Sequence, residues 1–226
     1  MFVNRDQYLE LSSLLRQKNV CLVAVSKTKP VEAIEELYAL GHRDFGENYV
    51  QELQEKQQAL PKDIRWHFIG HLQTNKVKQI VPFVYMIHGV DSEKLLSEIQ
   101  KQAQKSGRIV DLLLQVHIAR EETKFGLDVE ELRKIATLAK ANTFPDVRIR
   151  GLMGMASFTD NLSLVHEEFN HLRQIFEEIR GLLAIQEFNF LSMGMSNDYK
   201  IAIEEGSTMV RIGSMLFGAR EPVKKT

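Results

Sequence analysis

Two lysines close the apolar run V-C-L-V-A-V-S-K-T-K-P, residues 20–30. Such a run reads as a buried strand, and an ammonium group at its end needs compensation or a task. Side chains alternate along a strand, so Val23, Val25, Lys27 and Lys29 share a parity. Pro30 cannot continue a strand and suits the first turn of a helix, which puts Lys29 on the loop and makes Lys27 the last residue the strand governs. A desolvated lysine amine is a nucleophile at neutral pH, and Schiff-base formation with an aldehyde is its natural use. The bland alternative is a solvated rim lysine balanced by a carboxylate such as Glu47.

A second group of residues lies near the other end of the chain. The stretch S-M-G-M-S-N-D-Y-K-I-A-I-E-E-G leaves an apolar segment through Gly194, with Ser196 as a helix N-cap candidate and Asp198 in the first turn. The stretch M-V-R-I-G-S-M-L-F-G then brings Gly213 and Ser214 to the end of a further apolar segment. A capping hydroxyl, free backbone N–H groups and a glycine that lets backbone approach closely suit an anion such as phosphate. Arg211 interrupts M-V-R-I-G and cannot be neutralised, so it requires an acceptor: a carboxylate from another strand or a ligand. A nucleophilic lysine, a phosphate site and an arginine together describe pyridoxal 5′-phosphate.

The elements that must position these residues alternate along the whole chain. Strands are predicted at 20–27, 43–48, 65–70, 85–90, 109–118, 147–155, 188–194 and 209–218, with helices at 31–41, 49–59, 75–81, 92–106, 129–142, 162–184 and 198–206 between them and a leading helix at 4–18. Such alternation implies right-handed βαβ units and a parallel sheet, and eight units in 226 residues imply a closed (β/α)₈ TIM barrel. An open doubly wound sheet would show the same alternation. The leading helix either replaces the eighth outer helix or covers the barrel floor. In a barrel, function sits at the C-terminal strand ends, where both groups of residues fall.

Composition narrows the class. The chain is 44% hydrophobic and 26% charged with a formal net charge of -1, so no basic field points to nucleic acid or an anionic membrane. The N-terminus lacks the pattern of a signal peptide, and no apolar run approaches a membrane span. Cys21 is the single cysteine, so no internal disulfide forms and a buried, inert thiol is expected. A cytoplasmic protein is expected. No P-loop motif occurs, and His67 and His71 lie on a strand and loop, where a metal pair is not expected.

The sequence resembles the YggS/PROSC family of pyridoxal phosphate homeostasis proteins over nearly its whole length. The resemblance rests on A-V-S-K-T-K-P, F-G-E-N-Y-V-Q-E, W-H-F-I-G-H-L-Q-T-N-K, K-F-G-L, G-L-M, L-S-M-G-M-S-N-D-Y and V-R-I-G-S-M-L-F-G, in that order. It implies a barrel similar to the N-terminal domain of alanine racemase, a fold type III pyridoxal phosphate protein, with residues 1–226 as one cofactor-binding domain. It implies Lys27 as the cofactor lysine, phosphate contacts from Ser196, Gly213 and Ser214, Arg211 at the pyridine nitrogen, and Asn48 near the cofactor. His117 and Phe125 depart from the family pattern, which expects asparagine and a small residue there.

Arg211 at the ring nitrogen would disfavour its protonation and weaken the ring as an electron sink. The chain ends soon after the last strand, with no room for the second domain that gives alanine racemase a tyrosine base. The expectation is therefore a carrier or regulator of the cofactor without turnover, a monomer or weak dimer, with pyridoxal phosphate-dependent apo-enzymes as candidate recipients. An amino-acid racemase or lyase is the alternative, and a barrel enzyme acting on a phosphorylated metabolite without the cofactor is a third.

Overall fold

The computed structural model describes residues 2–120 and 125–218. Eight parallel strands close into a barrel in chain order: β1 (Cys21–Val25), β2 (Asp44–Glu47), β3 (Arg65–Phe68), β4 (Met86–Val90), β5 (Val110–Gln115), β6 (Val147–Met153), β7 (Phe190–Met195) and β8 (Met209–Ile212). β8 pairs back onto β1, with Arg211 opposite Val23. The open doubly wound alternative is thereby removed.

The helices form the outer layer: α1 (Arg5–Gln17), α2 (Val31–Ala39), α3 (Val50–Ala59), α4 (Val77–Ile80), α5 (Glu93–Ser106), α6 (Val129–Lys140), α7 (Leu162–Leu183), α8 (Tyr199–Glu204) and α9 (Ser214–Phe217). Local chemistry sets their limits. Asp128 and Glu131 form a capping box at the start of α6, and Ser92 Oγ accepts from Leu95 N–H at the start of α5. Gly107 ends α5 in the left-handed region, φ 59°, where a side chain is disfavoured. α5 turns Leu95, Leu96, Ile99 and Ala103 to the sheet, and each buried leucine or isoleucine contributes about 2 kcal/mol. α1 packs on β1 and α9, and Glu36 of α2 accepts from the N–H groups of Phe2 and Val3. The leading helix thus completes the outer ring.

Six strands stop short of the expected ends, and β1, β5 and β8 show why. β1 ends at Val25 because Lys29 N–H donates to Ser26 O at 3.0 Å, closing a turn through Thr28 at φ 64°. β5 ends at Gln115, whose carbonyl accepts from Leu127 N–H at 2.8 Å, so a returning segment takes over the pairing. β8 ends at Ile212, and Gly213 opens α9 where further strand was expected.

The barrel interior has an apolar part, Val23, Met86, Leu113, Met153 and Met209. Beside it run inward-facing polar residues, among them His67, His88, Ser192 and Arg211, all buried. The larger core lies between sheet and helices.

Candidate functional site

A cavity of about 320 Å³ opens at the C-terminal strand ends. All six residues singled out in the sequence line it: Lys27, Asn48, Ser196, Arg211, Gly213 and Ser214. Val25, Ile69, Met155 and Met195 supply apolar wall; β1 ends at Val25, and the turn that follows it brings Lys27 to the same space. Met153 and Met193 pack in the core instead of lining the mouth. A larger groove of about 650 Å³ lies on the outer layer between Leu14 and Lys18 of the α1 end and Lys200 and Ile203 of α8. It is remote from the C-terminal strand ends, so the mouth is the better candidate despite its smaller volume.

The turn that carries Lys27 is held from outside the barrel. Lys56 Nζ of α3 donates to Ser26 O at 2.8 Å, to Glu47 Oε1 at 2.8 Å and to Glu52 Oε1 at 2.6 Å. Glu52 Oε1 also accepts from Thr28 N–H at 2.6 Å, and Ser26 Oγ donates to Glu47 Oε1 at 2.6 Å. The residues on both sides of Lys27 are therefore tied to one buried charge cluster. Burial pushes the Glu47 carboxyl up to about 7, against the opposing pull of Lys56. Glu47 is buried and pairs with Lys56 of the outer layer, where the bland alternative had it at a solvated rim.

Lys29 also reaches the cavity wall, but its Nζ donates to Phe217 O at 2.9 Å and to Gly218 O at 3.4 Å. It fastens the end of α9 to the β1 turn. That assignment separates the paired lysines more directly than parity does.

Ser196 does not cap α8; Asp198 holds that position, and its Oδ1 accepts from Met195 N–H at 2.5 Å. Ser196 Oγ instead accepts from Gly213 N–H at 3.3 Å, joining the turns after β7 and β8. Gly194 has φ 95°, and a Cβ there would lie 2.5 Å from Ala202 Cβ, so only glycine lets α8 sit this close to β7. Gly213 has an ordinary φ of -122°; its constraint is space, since a Cβ would meet Val25 O at 3.2 Å.

Arg211 is 4% exposed. Its Nη1 donates to Ser192 O at 2.9 Å and Ser192 Oγ at 2.7 Å, and its Nη2 to Gly154 O at 3.1 Å. Among the described residues no carboxylate lies in ion-pair range of its guanidinium, which removes the structural salt bridge anticipated as one alternative. Burial lowers its pKa to about 10, with Asp198 opposing, and the group remains a cation at neutral pH. The Oδ1 atom of Asn48 is buried and has no hydrogen-bond partner, an exception to the rule that buried polar atoms are satisfied. An amine, a charged guanidinium held by neutral acceptors, an unsatisfied amide oxygen and two hydroxyls on adjoining turns are a donor set that fits a phosphorylated aldehyde with a ring nitrogen.

Neither His117 nor Phe125 lines the cavity. Phe125 stacks on His71 at 4.6 Å, and His117 N–H donates to Leu127 O at 3.1 Å. Cys21 is partly exposed, and burial pushes its thiol up to about 12, consistent with an inert role. Sequence reasoning missed Lys56, Glu52, Ser192 and His88. The histidine within the apolar strand Y-M-I-H-G-V was the available signal for the last; Lys56 gave none, being one charge in a charged helix.

A family model described as "Alanine racemase, N-terminal domain" matches residues 5–221. The closed barrel and its lysine-bearing mouth thus fall in the alanine racemase N-terminal-domain class. The chain is 42% identical to the pyridoxal phosphate homeostasis protein of Aquifex aeolicus (strain VF5), over 88% of this chain and 87% of that one. It is 42% identical to the Homo sapiens protein of the same name, over 90% of this chain and 78% of that one. PipY of Synechococcus elongatus PCC7942, solved without pyridoxal phosphate, superposes with a TM-score of 0.88 at 38% identity, covering 94% of this chain and 99% of PipY. Its pyridoxal phosphate-bound form superposes with a TM-score of 0.83, covering 94% and 100%. The chain belongs to the pyridoxal phosphate homeostasis protein family.

Proposed function

We propose that this protein binds pyridoxal 5′-phosphate at the barrel mouth and acts in cytoplasmic pyridoxal phosphate homeostasis, with residues 1–226 as one cofactor-binding domain. The observation that carries this reading is the convergence of Lys27, Asn48, Ser196, Arg211, Gly213 and Ser214 on one cavity. The names of the relatives and the cofactor in PipY support the identity of the ligand.

Lys27 would hold the cofactor as a Schiff base. Ser196, Gly213 and Ser214, on the turns after β7 and β8, would hold the phosphate. Arg211 would face the ring nitrogen, and Asn48 Oδ1 would accept from the ligand. When bound, the cofactor supplies a carbonyl carbon that an amine attacks reversibly. The chain supplies position: the Lys56 cluster fixes the turn bearing Lys27, and Arg211, held by neutral acceptors, keeps its full charge directed at the ring and disfavours a proton there. Such a site suits storage and release of the cofactor, with pyridoxal phosphate-dependent apo-enzymes as recipients and the protein a monomer or weak dimer.

Titration of the protein with pyridoxal phosphate, followed by visible absorbance, tests the reading. A saturable band present in the wild type and lost in Lys27→Ala supports it; no band in the folded wild type overturns it. Transfer from the loaded protein to an apo-enzyme, compared with free cofactor, tests delivery, and turnover of amino acids by the loaded protein would favour the racemase or lyase alternative.

A further inference from the structure

A line of polar side chains crosses the barrel from mouth to floor. Arg211 Nη1 donates to Ser192 Oγ at 2.7 Å. Ser192 Oγ lies 3.4 Å from His88 Nδ1, the longest link. His88 Nε2 lies 2.9 Å from His67 Nδ1, and His67 Nε2 lies 3.1 Å from Asp44 Oδ1. Asp44 accepts from Arg65 Nε at 2.6 Å and from its Nη2. Arg65 opens β3 at the barrel floor with its side chain 45% exposed, so the line begins at solvent and ends at the cavity.

Each imidazole nitrogen in the line has one partner, so a hydrogen placed on one nitrogen determines the direction of the remaining bonds. Burial alone would raise the Asp44 carboxyl, but hydrogen bonds from Arg65 and His67 outweigh it and hold the group well below the usual carboxylate range. Asp44 therefore only accepts, and His67 Nε2 carries a hydrogen. With its hydrogen on Nε2 alone, His67 accepts at Nδ1, so His88 donates from Nε2. His88 Nδ1 accepts from the Ser192 hydroxyl, which itself accepts from Arg211. Every bond between Arg211 and Asp44 points toward Asp44, which Arg65 meets from the floor. Burial, and after it His67 and Arg211, disfavours a charge on His88, as this arrangement requires.

We propose that Ser192, His88, His67 and Asp44 are positioning residues for Arg211, forming a directional relay with both imidazoles in the Nε2–H form, which fixes the guanidinium at the mouth and passes the protonation state of the barrel floor to it. One proton added at His67 makes both its nitrogens donors. His88 must then accept at Nε2 and donate from Nδ1, so Ser192 Oγ receives hydrogens from both sides. The reversed relay puts an additional positive charge in the barrel of Arg211. Among the described residues, the charged and titratable groups around the rings include Asp44 on β2, Arg65 on β3, Arg211 on β8 and His42 just before β2, whose Nε2 lies 2.8 Å from Asp44 O and which His67 influences electrostatically. Tyr85 lies with its ring 5.3 Å from that of His67, and Cys21 on β1 neighbours the Asp44–Arg65 pair.

The step from Arg211 to a cofactor ring rests on the function proposed above; the relay itself does not, and two measurements separate them. The first is a long-range proton–nitrogen NMR spectrum of the ¹⁵N-histidine-labelled full chain without cofactor. Both rings are expected as neutral Nε2–H tautomers at neutral pH, and their signals should move together as acid is added. Either ring as the Nδ1–H tautomer or doubly protonated at neutral pH, or independent titration of the two, overturns the relay. The second is a pyridoxal phosphate titration of wild type, Ser192→Ala, His88→Phe and Ser192→Thr, each first shown folded by circular dichroism. The first two variants should bind about tenfold more weakly and shift the pH profile of the bound absorbance, and Ser192→Thr should restore both. An unchanged pH profile in folded Ser192→Ala or His88→Phe overturns the positioning role. Failure of the wild type to bind pyridoxal phosphate overturns the proposed function, and the NMR result then decides the relay by itself.

Discussion

Lys56 Nζ sits 2.8 Å from the carbonyl oxygen of Ser26, the residue before Lys27, so a lysine on the outer helix layer fixes the turn that carries a lysine at the barrel mouth. The contact is buried: the side chain of Lys56 is 5% exposed and that of its partner Glu47 is 0% exposed. Removing one member of such a pair strands the other in a low-dielectric setting.

Lys56→Met should therefore destabilise the protein by about 3–5 kcal/mol, measured by urea denaturation. Because Ser26 O and Glu47 each lose one of two donors, the one from outside the turn, the folded variant should also attach pyridoxal phosphate to Lys27 more slowly than wild type. An unchanged attachment rate in the folded variant would show that the turn holds its shape without the clamp.

Glu47 makes stability depend on pH. Its carboxyl is raised from 4.5 to about 7 in the fold, so the folded chain holds that proton more tightly than the unfolded chain does. The contribution is complete below pH 4.5 and is lost as the pH rises through about 7. Its size is on the order of 3 kcal/mol. Denaturation across this window should show a decline in wild type that Glu47→Gln flattens.

Gly213→Ala adds a methyl group at 3.2 Å from Val25 O, with no backbone penalty at φ -122°. The added atom should push the turn after β8 away from β1 and weaken pyridoxal phosphate binding about tenfold. Pyridoxal without its phosphate should lose much less. Equal losses for both ligands would take Gly213 out of the phosphate site.

Lys29→Met frees the carbonyls at the end of α9 and should cost about 1 kcal/mol of stability, while leaving Lys27 as the modified residue. Loss of cofactor attachment in a folded Lys29→Met protein would reverse the assignment of the two lysines.

Much of this architecture is legible in the sequence because the barrel rests on periodicity. The apolar runs of β1, β4 and β5 and the amphipathic stripe of α5 have one arrangement that buries them; Arg211 follows from its place on such a run, and Lys27 and Gly213 from their places just after one. Boundaries were less legible where hydrogen bonds decide them. Residues 26 and 27 follow the apolar run 21–25 with no glycine or proline to break it, but the Lys29 N–H bond to Ser26 O bends the chain into a turn there. Ser196 has the composition of an N-cap, but its hydroxyl is spent on Gly213 of another strand, a pairing no local pattern encodes. Lys56 looks like a solvated helix charge, and only the packing of α3 on the barrel, which brings it to Ser26 O and Glu47, makes it a clamp. Ser192, His88, His67 and Asp44 lie on separate strands, and barrel closure is what brings them into line.

The central claim is most directly tested by borohydride reduction of the wild-type protein mixed with pyridoxal phosphate, followed by peptide mass mapping. The expected result is one stoichiometric pyridoxyl adduct on Lys27, absent in Lys27→Ala and retained in Lys29→Met. No adduct on the folded wild-type chain, or an adduct on Lys29 with Lys27 unmodified, would contradict the account.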